Sequence, residues 1–396
     1  MVVVCDISAW QYWRTPPQLR DEWADPAFME AYLPASSPDR AALRPRRKDA
    51  READAKVHAR LLGDLKGVRL PVHVMVDEGS SLHHSELVIP HRMTRGLPAS
   101  GVVGLGGGLH VLSPEMTLIL RNQERGIIQT VKMMFEAAGI FSLAPPNDRM
   151  GVILQDLVER RVVSPEASLH DGIYGFSDER GRRLGFLDAR GNPLSWTPTF
   201  DRHGRLTDLW KRPPLTSAHD IAAALDEVRG SKGVKEARRA LALLMEGAAS
   251  PEEVRAALML CSGVRHGGES WGRPDLNRRI IYTPEARALA HASFAVADLL
   301  WPELKVDLEV QGKAFHADER GFEVASGRRA ALESMGYQVR ELTHEQMANL
   351  SLFDAIVSPM ATQIGLPLQR RSRAFLERRR RLHGELFGKP YEQDAR

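Results

Sequence analysis

From Lys305 to Lys313 the chain alternates without a slip: Lys305, Asp307, Glu309, Gln311 and Lys313 fall on one side, Val306, Leu308, Val310 and Gly312 on the other. A period of two marks a β-strand with one apolar and one polar face, because successive side chains leave the pleat in opposite directions. The apolar side therefore needs a partner layer to cover it. Upstream, Asp298 lies across the Trp301-Pro302-Glu303 break, on what reads as the preceding antiparallel strand. A hairpin of this kind can bring Asp298 beside Glu309, with His316 just beyond the strand end. Two carboxylates can hold a hard cation, Mg²⁺ (or Mn²⁺), through oxygen, while an amide, a lysine or a histidine orients or activates water. Alternation alone suits a half-solvated strand of an antiparallel sheet equally well.

The whole phrase resembles the core of the PD-(D/E)xK nuclease superfamily, and within it the group similar to very-short-patch-repair endonucleases. That group spells its site as Asp, a short hairpin, Glu-x-Asp-Gly and then His. The matching residues are Asp298, Glu309, Gly312 and His316; the departure is Gln311, where the group has Asp and the wider superfamily Lys. Lys313, on the strand face of Glu309, is a second candidate for the cation. The resemblance covers about residues 250–342. It implies Asp298 and Glu309 as metal ligands, Gln311 as a water-orienting amide and His316 as general base or acid. Glu253 would complete the catalytic set, since a Glu from the first helix does so in these nucleases. Local chemistry gives Glu253 another role, because Ser250-Pro251-Glu252-Glu253 spells a capping box at a helix start. Downstream, Arg328 to Gly336 reads as a helix ending at glycine and leading into a strand from Tyr337, the order the superfamily uses.

With 396 residues, 43% hydrophobic and 27% charged, the composition is that of a globular protein long enough for two or three domains. The net charge of +3 permits a nucleic-acid partner without demanding one. Two cysteines, Cys5 and Cys261, make neither a disulfide framework nor a zinc spacing and fit a reducing cytoplasm. No apolar run has the length of a membrane span, so a cytoplasmic protein with no membrane partner is expected.

The chain changes texture along its length. Residues 1–66 read as helical, with Ser8 capping a helix over Ile7–Arg14 and prolines interrupting the remainder. Strands are expected at Leu70–Val76, Glu86–Pro90 and Leu109–Leu112. The glycines of 101–108 lack both the dinucleotide and the phosphate-loop spellings and read as a turn between strands. Ser113-Pro114-Glu115 then starts a helix. This order resembles the type IV abortive-infection antitoxin family over about residues 65–145, on the pieces Leu70–Val76, Glu86–His91, Val111–Glu115 and Phe135–Ser142. It implies a DNA-binding regulator and a partner toxin; a homodimer is the other partner expected. Three Asp-x-x-Gly turns, at Asp178, Asp188 and Asp201, make 145–215 a β-meander.

The expected architecture is thus α/β: an antitoxin-like α+β region at 1–144, a β-meander insertion or linker at 145–215, and a restriction-endonuclease-like three-layer α/β domain at 216–396. The last ends in an arginine-dense helix with an apolar stripe of Leu376, Leu382, Leu386 and Phe387. Arg378, Arg379, Arg380 and Arg381, with Arg328, Arg329 and Lys313, are the candidates for DNA phosphate contacts. Two functions are therefore expected: a metal-dependent DNA endonuclease of phage defence or repair, or a non-catalytic DNA-binding regulator that keeps the nuclease-like fold.

Overall fold

The computed structural model describes residues 1–21, 24–46, 48–77, 82–93, 96–120, 126–159, 174–177, 183–187, 193–194, 196–201, 203–230, 233–312 and 319–388. The protein is α/β. Val2, Val3 and Val4 are all buried and form β1 (Val2–Val4), the middle strand of a five-stranded sheet. A strand covered on both faces reads as an unbroken apolar run, which is why these valines carry no alternation. The next element is α1 (Asp6–Arg14), entered one residue earlier than expected. Ser8 is not its cap but lies buried in its first turn, where its Oγ accepts the N–H of His73 at 2.9 Å.

Four short helices come next, α2 (Pro17–Asp21), α3 (Pro26–Tyr32), α4 (Pro38–Ala42) and α5 (Glu52–His58). Then come β2 (Val72–Val76), β3 (Val88–Arg92), β4 (Val102–Gly106) and β5 (Leu109–Leu112), giving the sheet order β3-β2-β1-β5-β4. In β2, Val72, Val74 and Val76 face the core while His73 and Met75 face outward. The glycine run is more than a turn. Its first part is β4, and Gly107 and Gly108, at φ 58° and 73°, turn the chain into β5 where a side chain would be strained.

Helix α6 (Pro114–Leu120) and α7 (Gly126–Ala137) lead to β6 (Phe141–Leu143), and then to α8 (Asp148–Glu159). β7 (Tyr174–Ser177), β8 (Arg183–Leu187) and β9 (Pro193–Leu194) form an antiparallel meander. β10 (Thr197–Phe200) and β11 (Leu206–Lys211) form a hairpin that pairs with β6. Of the three Asp-x-x-Gly turns, those at Asp178 and Asp188 lie outside the described residues. At the third, Asp201 accepts the N–H groups of His203 and Arg205, as turn chemistry requires. The boundary expected at 144/145 therefore runs through one three-stranded sheet, because Leu143 pairs with Leu209.

Helix α9 (Ala218–Glu227), capped by Ser217, and α10 (Val234–Leu241) precede the carboxy-terminal sheet region. That region runs α11 (Pro251–Cys261), β12 (Asp275–Ile281), α12 (Pro284–Ala290), β13 (Phe294–Trp301), β14 (Val306–Gln311), α13 (Glu319–Ser334) and β15 (Gln338–Thr343). Its sheet has the order β12-β13-β14-β15, with two antiparallel steps and then a parallel one reached through α13. Leu299, Leu308, Val306 and Val310 turn one face toward α11 and the main core. Ile280, Leu300 and Val339 pack against Ala286 of α12 and Ala331 and Leu332 of α13 on the other. The three layers stand on burials worth roughly 2 kcal/mol for each wholly covered leucine. The chain continues through α14 (His344–Ala348) and α15 (Leu350–Ile364) to α16 (Arg373–Phe387).

The main core does not stop at the expected boundary near 216. It runs from Val2 through Ile128, Val131, Met134 and Phe135 of α7 to Leu258, Leu299, Leu382 and Leu386. Among the described residues, no helix is long and apolar enough to cross a membrane.

Candidate active site

The hairpin expected from the sequence is present, and its turn is pinned from several sides. Trp301 donates its indole N–H to Gly272 O at 2.6 Å and stands edge-on to Trp271. Lys305 takes the left-handed conformation at φ 48° and donates to Met335 O. The ladder between β13 and β14 pairs Trp301 with Val306, Leu300 with Asp307 and Leu299 with Leu308. There it stops. Val310, whose N–H would continue the pairing, donates at 2.8 Å to the carboxylate of Asp298 instead. Asp298 therefore occupies the fork where the two strands part, bound to the residue next to Glu309.

Around that fork the sheet gathers carboxylates. Asp307 is fully buried on the polar face of β14, and neither of its oxygens receives a hydrogen bond. Burial, then the neighbouring Glu309, pushes its carboxyl up to about 9. The two carboxyl groups are placed to share a proton, which is the cheapest way to hold like charges together out of water. Burial also raises Asp298 well above the usual carboxylate range, reinforced by Glu253 and then Glu309. The cation set among them is Arg328 of α13. Its Nη1 donates to Glu309 Oε2 at 2.7 Å, while Nη2 reaches Glu309 Oε1 and Val296 O. Burial works against the Arg328 charge, but Glu309, Asp307 and Asp298 more than offset it and raise its pKa. Arg328 thus holds Glu309 from inside the site and is not a free phosphate ligand.

Glu253 of α11 is buried with its carboxylate committed. Ser250 Oγ caps the helix by accepting Glu253 N–H, but the return bond goes to Ala249 N–H, one residue before the position a capping box uses. Ser250 Oγ and Asn277 Nδ2 also donate to this carboxylate. Burial raises its pKa, and it acts on Asp298 through the field. Gln311 does not turn toward Asp298: its amide donates at 3.2 Å to Glu341 of β15, which also pairs with Arg329. Lys313 and His316 lie outside the described residues.

The arginines of α16 divide by helix face. Phe375, Arg379, Leu382 and Leu386, at steps of four, three and four, form the buried stripe, in place of one containing Leu376. Arg379 is wholly buried, bonded to Asp354 and Gly267 O and paired with Glu269, so it cannot meet a phosphate. Arg378 is half-buried and donates to Val264 O, and Arg380 and Arg381 are exposed.

Asp307 is the residue that reading for the motif passed over. Its signal was in the alternation, which set it on the face of Glu309. Among the described residues, no three of these carboxylates bring oxygens within 4.8 Å of one another. The cluster is therefore no ready-made three-carboxylate cage. A divalent ion held by one or two carboxylates, with water on its other positions, needs none. A carboxylate has about four lone-pair directions, so the Arg328 clamp leaves acceptor capacity on Glu309. No family model matches the chain, and no curated protein or solved structure does either.

Proposed function

We propose that the protein is a metal-dependent DNA endonuclease whose reaction centre is the fork of β13 and β14. The observation that carries this reading is the buried Asp307 carboxyl group, without a hydrogen-bond donor, beside Asp298 and Glu309. Three buried or half-buried carboxyls share a single guanidinium, Arg328, which stands 3.8 Å from Asp307 Oδ2, and such a surplus of acid groups fits a hard divalent ion, Mg²⁺ or Mn²⁺. Asp298 and Glu309 would hold it, and when bound it supplies charge neutralisation at the scissile phosphate and a more acidic water. Arg328 orients Glu309 by gripping both of its oxygens. Asp307 stores a proton against Glu309, and Asp298 is fixed by the Val310 N–H. Arg380 and Arg381 offer exposed charge for a polyanion, which sets affinity without reading sequence.

The clamped Glu309 and the outward Gln311 favour a second reading, a non-catalytic DNA-binding regulator built on the same fold. Purified protein incubated with duplex, mismatched and single-stranded DNA separates the two. The endonuclease cuts only with Mg²⁺ or Mn²⁺, and Asp298→Ala or Glu309→Ala lowers the rate on the order of a hundredfold or more while DNA binding persists. Tight binding without metal-dependent cleavage of any substrate selects the regulator.

A further inference from the structure

A second group of ligand-type side chains lies on the amino-terminal sheet, assembled from three separate stretches of sequence. Asp6 opens α1 directly after β1, His73 is on β2 and His91 on β3. β1 pairs with β2 through Val4 and Val74, and β2 with β3 in parallel through Met75 and His91. Because His73 and Met75 share the outward face of β2, this register sets the two imidazoles side by side. Their rings stack at 5.1 Å with planes 19° apart. His73 Nδ1 is 2.9 Å from His91 Nε2 and 3.7 Å from Asp6 Oδ2, and the three donor atoms all lie within 4.8 Å of one another.

We propose that Asp6, His73 and His91 bind one divalent transition-metal ion of the zinc type, at a site independent of the carboxylates of β13 and β14. Metal–ligand bonds of about 2.0–2.1 Å in a tetrahedron put donor atoms about 3.3 Å apart. The observed separations of 2.9 and 3.7 Å straddle that edge, so small side-chain rotations convert the present hydrogen-bonded arrangement into a coordinating one. Two imidazoles and one carboxylate are the ligands of zinc, iron, cobalt or nickel, whereas an all-oxygen cluster suits magnesium. His73 and Asp6 keep 21% and 42% of their side-chain surface in solvent, which leaves a coordination position open to water or to a substrate. This is the composition of a reactive metal centre rather than of a closed structural one.

The test is a Co²⁺ titration of metal-free full-length protein, monitored by the visible d–d absorption that four-coordinate cobalt gives strongly and aqueous cobalt weakly. One equivalent taken up, and displaced by one equivalent of Zn²⁺, is the expected result. Asp6→Asn, which keeps the side chain's shape, and His91→Ala should each weaken binding by about a hundredfold or more, beyond the effect of losing an outer-shell partner. Glu309→Gln should leave the spectrum unchanged, which separates this site from the proposed nuclease centre. The proposal is overturned if the wild-type protein takes up no stoichiometric cobalt, a result that needs no variant to fold. It is equally overturned if Asp6→Asn, folded by its circular dichroism, binds as tightly as the wild type.

Discussion

Replacing Asp307 by Asn should stabilise the protein at neutral pH, and by an amount that grows with pH. The Asp307 carboxyl is pushed up to about 9 in the folded chain by burial and by Glu309. In the unfolded chain an aspartate titrates near 3.9. Between those values the folded state carries one more proton than the unfolded state, so stability falls as pH rises. One proton corresponds to about 1.4 kcal/mol per pH unit, which gives a loss of about 2–3 kcal/mol between pH 6 and pH 8 from this residue. Asn fills the same space, cannot ionise and can donate its amide to Glu309. The Asp307→Asn profile should therefore be flatter by that amount. Urea denaturation monitored by tryptophan fluorescence at pH 6, 7 and 8 measures it. Burial also raises Asp298, so a shallower slope of the same sign remains in the variant. Saturating Mg²⁺ should flatten the wild-type slope too, because a cation held by Asp298 and Glu309 replaces protons in the cluster. Parallel wild-type and variant profiles would refute the reasoning, since they would mean that Asp307 carries no proton that folding retains.

Arg379→Gln should cost about 3 kcal/mol, because it removes the buried one of the two guanidiniums, Arg379 and Arg371, that pair with Glu269 and Asp354. Arg380→Gln with Arg381→Gln should leave stability within about 0.5 kcal/mol but lower DNA affinity and its dependence on salt, as read by fluorescence anisotropy across a salt series. Glu136→Gln should destabilise the fold by about 3–5 kcal/mol in chemical denaturation. Its carboxylate, 4% exposed, accepts Arg14 Nε and Nη2 at 2.8 and 2.6 Å and the Leu143 N–H, and removing its charge breaks a bidentate buried ion pair.

Much of the carboxy-terminal region was legible because its signals are local. Alternation marked β14, the Ser250-Pro251 start marked α11, and Gly336, at φ 83°, marked the passage from α13 to β15. The features that escaped the sequence depend on contacts distant along the chain. The alternation placed Asp307 on a polar face, but only the covering of that face by α12 and α13 makes it a buried acid. Arg379 sits in a run of four arginines, and nothing local shows that Glu269, more than a hundred residues earlier, draws this one inward. Asp6, His73 and His91 share no motif at all. Their proximity is a product of strand register, which Val4–Val74 and Met75–His91 pairing sets. The three valines of β1 show no alternation from which a strand could be read, because their central position in the sheet buries all of them.

The hydrophobic core that threads from Val2 through α7 to Leu386 makes the two ends of the chain thermodynamic partners. Helix α7, which carries Ile128, Val131 and Phe135, packs against α10, α11 and α16 as well as against α6 and β6, in the same core as Leu258 and Leu382. A fragment holding residues 216–396 alone would present that face to water, a stretch of apolar surface large enough to drive aggregation. Calorimetry of the whole chain should then record these parts melting together. With one core shared along the chain, a ligand gripped at β13 and β14 should also raise the cost of unfolding the amino-terminal sheet.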